Sequence, residues 1–306
     1  MHLPDGILAG HTEAVTAILA GGALGVAAVA ARHELRKVPV ARVAAVGGLI
    51  FAGQMVNLPV ASGTSGHLIG AALAVALLGP GLGVVTTAMV LVVQGLLFAD
   101  GGVSSAGANI LNMAVIPGVV AAAVLGTLRR PTSDLDADPA EVVRPGLRLA
   151  VAAGLSTLAA ATAFSLEYAV GSLGGEGALA VTGDMLAVHL PIAVAEIAMT
   201  LGAVAAVHAL DRRPGAVLGG SMLVAVLLAP LASSAPDGLE RVSIDRGFAS
   251  LSADHSLLGS PLADYATTGV SNEMLTVALA GVIGILVVAA VLATLGRLAV
   301  VETTHR

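Results

Sequence analysis

The sequence predicts an all-α polytopic membrane protein with about nine transmembrane helices, its N-terminus outside and its C-terminus in the cytoplasm. Three observations carry that prediction. Of the 306 residues, 57% are hydrophobic and 11% charged, whereas a soluble domain carries about 25% charged residues. Mean hydropathy is +0.95, and long apolar runs separated by short polar breaks recur along the whole chain. The basic residues then collect on one side of those runs.

The runs lie at 12–31, 40–57, 68–79, 83–98, 110–128, 147–169, 184–210, 216–234 and 274–296, against the roughly 20 residues that a full crossing needs. The first is read as a span and not a cleaved leader. A signal peptide opens on a basic segment, and residues 1–31 contain no Lys or Arg. The third run is short and as a helix would reach only about 18 Å. Its helix is expected to start partway into the membrane, after a non-helical stretch from Asn57-Leu58-Pro59 to Gly66. Irregular backbone at that depth is tolerated only where it is buried in protein or lines a polar cavity, so the break points to a site. With the N-terminus outside, Arg32, Arg36, Lys37, Arg42, Arg129, Arg130, Arg144, Arg148, Arg212, Arg213, Arg297 and Arg306 all face the cytoplasm. Of the 14 basic residues only Arg241 and Arg246 stay outside, and the positive-inside rule selects this orientation. Segment 129–146, with Pro131, Asp134, Asp136, Asp138, Pro139 and Pro145, reads as a cytoplasmic linker. Asp211-Arg212-Arg213-Pro214 is a second break, and it divides a seven-span domain, 1–213, from a second domain, 214–306. The second has two spans around a polar extracytoplasmic loop, 235–273.

Composition also excludes functions. A net charge of −6 with scattered basic residues speaks against nucleic acid. With no cysteine there are no disulfides, thiolate metal sites or iron–sulfur clusters. The single lysine, Lys37, lies in no phosphate-binding loop, so any ATP-driven step belongs to a partner.

Chemistry-bearing residues are few. Met1 and His2 offer an α-amine, a backbone nitrogen and an imidazole Nδ1, which can close two coplanar chelate rings. A fourth donor would complete the square-planar geometry expected of Ni(II) or Cu(II). The bland alternative is a frayed terminus. His67 sits where the short third helix begins. Polar residues at membrane depth are costly and often functional, and imidazole is the commonest metal ligand. The other ring nitrogen needs a partner, with Thr64 and Ser65 nearby, or His67 simply bonds a backbone carbonyl. Gln54 and Asn57 are further candidates to support His67. Asn109 and Asn112 either brace the loop over the site or pack their helix. His189 and Glu196, seven apart, share a helical face and make an interhelical hydrogen bond or serve gating or partner contact. His11, His33, His208, His255 and His305 are not read as ligands.

Three separated motifs in order, Met1-His2-Leu3-Pro4-Asp5-Gly6, Gly63-Thr64-Ser65-Gly66-His67-Leu68, and Phe98-Ala99-Asp100-Gly101-Gly102 with Gly107-Ala108-Asn109-Ile110-Leu111-Asn112-Met113, resemble the CbiM/NikM family. These are the substrate-binding membrane subunits of cobalt and nickel energy-coupling-factor transporters. The resemblance covers about residues 1–213, and Leu3, where the family often has isoleucine, is its one mild departure. It implies metal ligands at Met1, His2 and His67. It also implies a multi-pass cell-membrane protein, a transmembrane coupling (T/Q) subunit and a pair of ATP-binding cassette ATPases as partners. Co2+ or Ni2+ is then the transported ion, and no cofactor is permanently bound. Pro236-Asp237-Gly238-Leu239-Glu240 and Ser260-Pro261-Leu262-Ala263-Asp264-Tyr265 resemble the PDGLE domain, related to the small N subunit of the same transporters. In that family the loop helps to load the metal, and here 236–273 holds Asp237, Glu240, Asp245, Asp254, Asp264 and Glu273 against two arginines.

Two other functions compete. An intramembrane metalloenzyme needs a general base and an open water position, and no H-E-x-x-H is present. A self-sufficient secondary transporter often shows matched broken helices in both halves, and only one broken segment is visible.

Overall fold

The computed structural model describes residues 1–61, 63–126, 143–172 and 177–304. Most of the cytoplasmic linker 129–146, and His305, lie outside the described residues. The architecture is helical. Helix α1 is Gly10–Glu34 and α2 is Val40–Met55. A two-residue antiparallel ladder follows, β1 Leu58–Pro59 against β2 Ser65–Gly66. Then come α3 Ala71–Leu78 and α4 Pro80–Val93, the latter running into a π turn at Gln94–Phe98. Helix α5 Ala106–Ile110 passes through a second π turn, Leu111–Val115, into α6 Ile116–Leu125. Helices α7 Val143–Gly171, α8 Ala178–Ala209, α9 Pro214–Leu227, α10 Gly238–Asp245 and α11 Glu273–Thr304 complete the chain.

Every predicted apolar run carries a helix, but they are unequal. Among the described residues, seven helices or helix pairs are long and apolar enough to cross a membrane, and α2 is a shorter apolar helix of 16 residues. The third run shrinks to the eight residues of α3, about 12 Å long, so the shortfall read from sequence is larger than expected. Gly70 ends the irregular stretch with φ +82°, a conformation that admits glycine at little cost.

The core is layered around α2. Ile50 and Phe51 of α2, Phe98, and Ile285 and Val288 of α11 form its fully or nearly fully buried centre. A second cluster joins Leu3, Ile7 and Leu8 of the N-terminal segment to Phe164 and Tyr168 of α7 and to Phe248. Where α3, α6 and α7 meet, Ala121, Ala122, Ala152 and Ala153 are fully buried, the small-residue contact that lets membrane helices approach closely. Ile18 and Val26 on α1, Val194 on α8 and Leu223 on α9 point outward, an apolar surface that hydrocarbon solvates without penalty.

The chain's six aromatic residues are four Phe and two Tyr, with no Trp, and they fall into two clusters. Tyr265 stacks on Phe98 and meets Phe51, while Phe248 packs on Tyr168, which meets Phe164. Each cluster contains one ring from the 232–272 loop and the rest from the first seven helices. Aromatic pairs contribute about 0.5–1.5 kcal/mol beyond area burial, so these two rings pin the loop onto the end of the bundle that holds the N-terminus.

Candidate metal centre

The first eight residues form no helix, yet Leu3 and Ile7 are 1% exposed and Met1 6%. Apolar side chains draw the terminus inward, but backbone buried off-ladder must still find partners. Asn109 solves this for Leu3. Its Oδ1 accepts the Leu3 N–H at 2.7 Å, and its Nδ2 donates to the Leu3 carbonyl at 3.0 Å. The same carbonyl accepts the Gly102 N–H at 2.8 Å. Asp5 in turn accepts the N–H groups of Val103, Ser104 and Ser105 at 2.8–3.1 Å. Burial raises the Asp5 carboxyl's pKa, but the Ser104 hydroxyl, which donates to it at 2.7 Å, and these backbone donors outweigh burial and hold the group below the usual carboxylate range. Gly102 lies so close to the Asp5 side chain that a Cβ there would collide with it. The Asp100-Gly101-Gly102 corner is therefore a receptor for the N-terminal segment.

Threaded this way, the terminus meets the broken segment. The Met1 amine donates to His67 Nε2 at 2.7 Å and to Asp237 Oδ2 at 2.6 Å. The rings of His2 and His67 stack, with centroids 5.3 Å apart and planes 22° from parallel. His2 Nδ1 lies 3.1 Å from Asp100 Oδ1. Burial pushes the His2 imidazole's pKa below its ordinary value, against the pull of Asp100. A cavity of about 650 Å3, lined by His2, His67, Gln54, Asn57, Asp237 and Tyr265 among others, opens beside these groups. Among the described residues no three His, Cys, Asp or Glu side chains gather as a metal cluster. The nitrogen convergence depends on a main-chain amine.

The supporting residues sort differently from the sequence reading. His67 Nδ1 meets the Leu68 carbonyl at 3.0 Å, so neither Thr64 nor Ser65 supplies its partner. Thr64 Oγ1 instead donates to the Ala61 carbonyl. Ser65 donates from Oγ to Ala235 O at 2.7 Å and from its N–H to Pro236 O at 2.9 Å. Gln54 Nε2 donates to the Ile69 carbonyl at 3.0 Å. Asn57 lends its carbonyl to the Ser233 N–H at 2.8 Å. Glu196 and His189 do not bond each other. The Glu196 carboxylate accepts the N–H groups of Ile69 and Gly70 at 2.7 and 3.1 Å, while His189 Nδ1 turns to Met185 O on its own helix. Ile69 is thus held by Gln54 from one helix and Glu196 from another, two residues after His67. Asn112 is drawn away, donating to Glu167 at 2.7 Å.

Sequence reasoning missed three residues here. Asp237 is the N-cap of α10, where its Oδ1 accepts from Leu239 N and Glu240 N in a capping box. Burial opposes its charge, but the Met1 ammonium and His67 beside it hold its carboxyl well below the usual range. Gly238, next to it, has no room for a Cβ, which would stand 2.7 Å from His189 Cε1. Asp100 was visible only as part of a motif, and Gln94, fully buried, opens the π turn, a feature frequent at functional sites.

With this geometry in hand, the comparisons are specific. The family profile described as "Cobalt uptake substrate-specific transmembrane region" matches residues 2–214, and that of the PDGLE domain matches 214–300. The chain is 40% identical over 129 residues to the fused nickel transport protein NikMN of Rhodobacter capsulatus, covering 42% of this chain and 37% of that protein. It is 31% identical over 220 residues to the cobalt transport protein CbiM of Geobacter sulfurreducens, covering 68% of this chain and 59% of that protein. The matches thus span 37% and 59% of these relatives' own length, less than two thirds in each case. A crystal structure titled as a truncated transition metal transporter superposes with a TM-score of 0.56 at 28% identity, covering 68% of this chain and 99% of that one.

Proposed function

The chain belongs to the CbiM family of cobalt-uptake transmembrane regions, with a PDGLE domain behind it, and on that premise we propose that it is the substrate-binding component of an ATP-driven importer for Ni2+ or Co2+. The observation that carries this reading is the convergence of the Met1 amine, His2 and His67 at the broken segment. The α-amine, the His2 backbone nitrogen, His2 Nδ1 and His67 Nε2 would form a planar four-nitrogen set, the geometry that favours nickel. Such a saturated set binds and releases an ion without leaving a position for an activated water, unlike a catalytic zinc site.

The amine and the two imidazoles are already engaged with one another and with two carboxylates. The amine is held by His67 and Asp237, and His2 Nδ1 by Asp100. An arriving dication would take the place of one proton on the Met1 ammonium and of the His2 amide proton, both released to water, and would draw the same three residues inward by short movements of groups already assembled. The cavity beside them gives it a polar approach. With no nucleotide motif in this chain, a coupling subunit and two ATPases supply the work. Uptake of radioactive nickel into proteoliposomes, with and without those subunits, is the test. Transport by this chain alone would make it a secondary transporter.

A further inference from the structure

Two carboxylates face the donor nitrogens, and both are anchored by the PDGLE domain. Asp237 belongs to that domain. Its Oδ2 takes the Met1 amine at 2.6 Å, while its Oδ1 caps α10 through Leu239 and Glu240. Asp100 belongs to the first domain. Its Oδ1 lies 3.1 Å from His2 Nδ1, while its Oδ2 accepts the Tyr265 hydroxyl at 2.6 Å. Tyr265 is held in turn by Gln94 Nε2 at 2.9 Å and by its stacking on Phe98. Each carboxylate therefore gives one oxygen to a donor nitrogen and the other to a fixed partner from the fused domain. Neither can swing away without uncapping a helix or breaking a partly buried hydrogen bond.

We propose that Asp237 and Asp100 are the charge partners of the nitrogen site. They hold its donors in register while it is empty and stay beside the cation, outside the donor plane, once it is filled. The proposal rests on the four-nitrogen reading above. Its physical ground is that the amine and the two imidazoles are neutral donors and the deprotonated His2 amide supplies only one negative charge, so a dication held by them in a buried site keeps a net positive charge, and an uncompensated buried charge is costly. On this view the PDGLE domain completes the binding site and does not only deliver metal to it. The Ser260–Tyr265 motif acquires a role as well. Ser260 Oγ donates to Leu97 O at 2.5 Å, so the motif grips both ends of the Leu97–Asp100 corner.

Asp237→Asn tests this in the full-length chain in detergent, because Asn caps a helix as well as Asp does but carries no charge. Isothermal titration with Ni2+ should show a 10- to 100-fold weaker affinity, the usual cost of losing a partner just outside the ligands. The visible spectrum of bound nickel should keep its planar form, since no ligand changes. Asp237→Glu should recover part of the loss, and Tyr265→Phe should weaken binding in a way that is not additive with Asp100→Asn. Affinity within threefold of wild type for Asp237→Asn, or equal losses for the Asn and Glu variants, would overturn the proposal. His67→Ala run alongside separates the two levels. If it alone loses binding, the charge-partner assignment fails and the nitrogen site stands. If it too binds like wild type, the nitrogen site itself is wrong.

Discussion

Extending the N-terminus by two alanines is the most direct attack on a site built from a terminal amine. A single added residue would be a poor choice, because it would place the histidine third and give the terminus a self-contained four-nitrogen chelate. Two residues avoid that and convert the Met1 nitrogen from an amine into a planar amide, which would have to lose its own proton, as the His2 amide does, before it could bind a metal. The new amine lies up to about 7 Å further along the chain, out of reach of His67 Nε2 and Asp237 Oδ2, which now hold the Met1 amine at 2.7 and 2.6 Å. All original side chains remain, and a melting curve on the extended protein checks that the fold survives. The loss is that of one donor, the five-membered chelate ring it closes and the ion pair with Asp237. We expect nickel affinity to fall at least about 100-fold, equivalent to roughly 2.7 kcal/mol, with a melting temperature close to wild type. Titration calorimetry on protein whose terminus is verified by intact mass gives the answer. Unchanged affinity in the correctly extended protein would refute the amine as a ligand.

Other predictions follow from single contacts. Asn109→Ala removes both hydrogen bonds to Leu3 and strands a buried N–H at a cost of about 1–3 kcal/mol. Thermal melts should show that loss together with weaker nickel binding, and wild-type binding would show that the clamp does not position the terminus. Gly238→Ala should destabilise the protein by about 1–3 kcal/mol through overpacking against His189, although alanine is the better helix former. A raised melting temperature would mean that the loop has slack there. For orientation, single cysteines at Ser252, in the loop over the site, and at Ser133, outside the described residues, should label from opposite sides of intact cells. An impermeant reagent that reaches both from outside would invert or break the predicted topology.

The helices were legible because hydropathy over some 20 residues is an additive, local property. Their lengths were less so. Run 68–79 looks continuous in composition, yet Leu68, Ile69 and Gly70 stay outside α3 because Gln54 and Glu196, from two other helices, hold the Ile69 and Gly70 backbone. Nothing within the run announces that. The same contacts show how far the shared face of His189 and Glu196 could be read: Glu196 does reach outside its helix, to the Ile69 and Gly70 backbone, while His189 bonds Met185 on its own helix. A shared face fixes direction, but the nearer backbone donors of a broken helix decide what a buried carboxylate bonds.

The centre itself divides along the same line. Met1, His2 and His67 could be singled out as candidates because a terminal amine followed by histidine and a histidine in a broken span are unusual as local patterns, and the structure brings the three together. Asp237 was not, although its motif was read, because in sequence it is one of six acids in a loop. A capping box is a sufficient local reason for an aspartate at that position, and such a reason hides a second use. Only the placement of α10 against His189, with Gly238 allowing the close approach, brings the free oxygen of the cap to the Met1 amine 236 residues away. Asp100 is concealed in the same fashion, since its anchor, Tyr265, lies 165 residues on. Asp237 does ordinary local work with one oxygen and its other oxygen acquires a role when the two domains are packed together, whereas both oxygens of Asp100 find distant partners, His2 and Tyr265. A fused chain guarantees that packing at high effective concentration. Separating the domains at residue 214 should therefore cost the site its charge partners before it costs the bundle its fold.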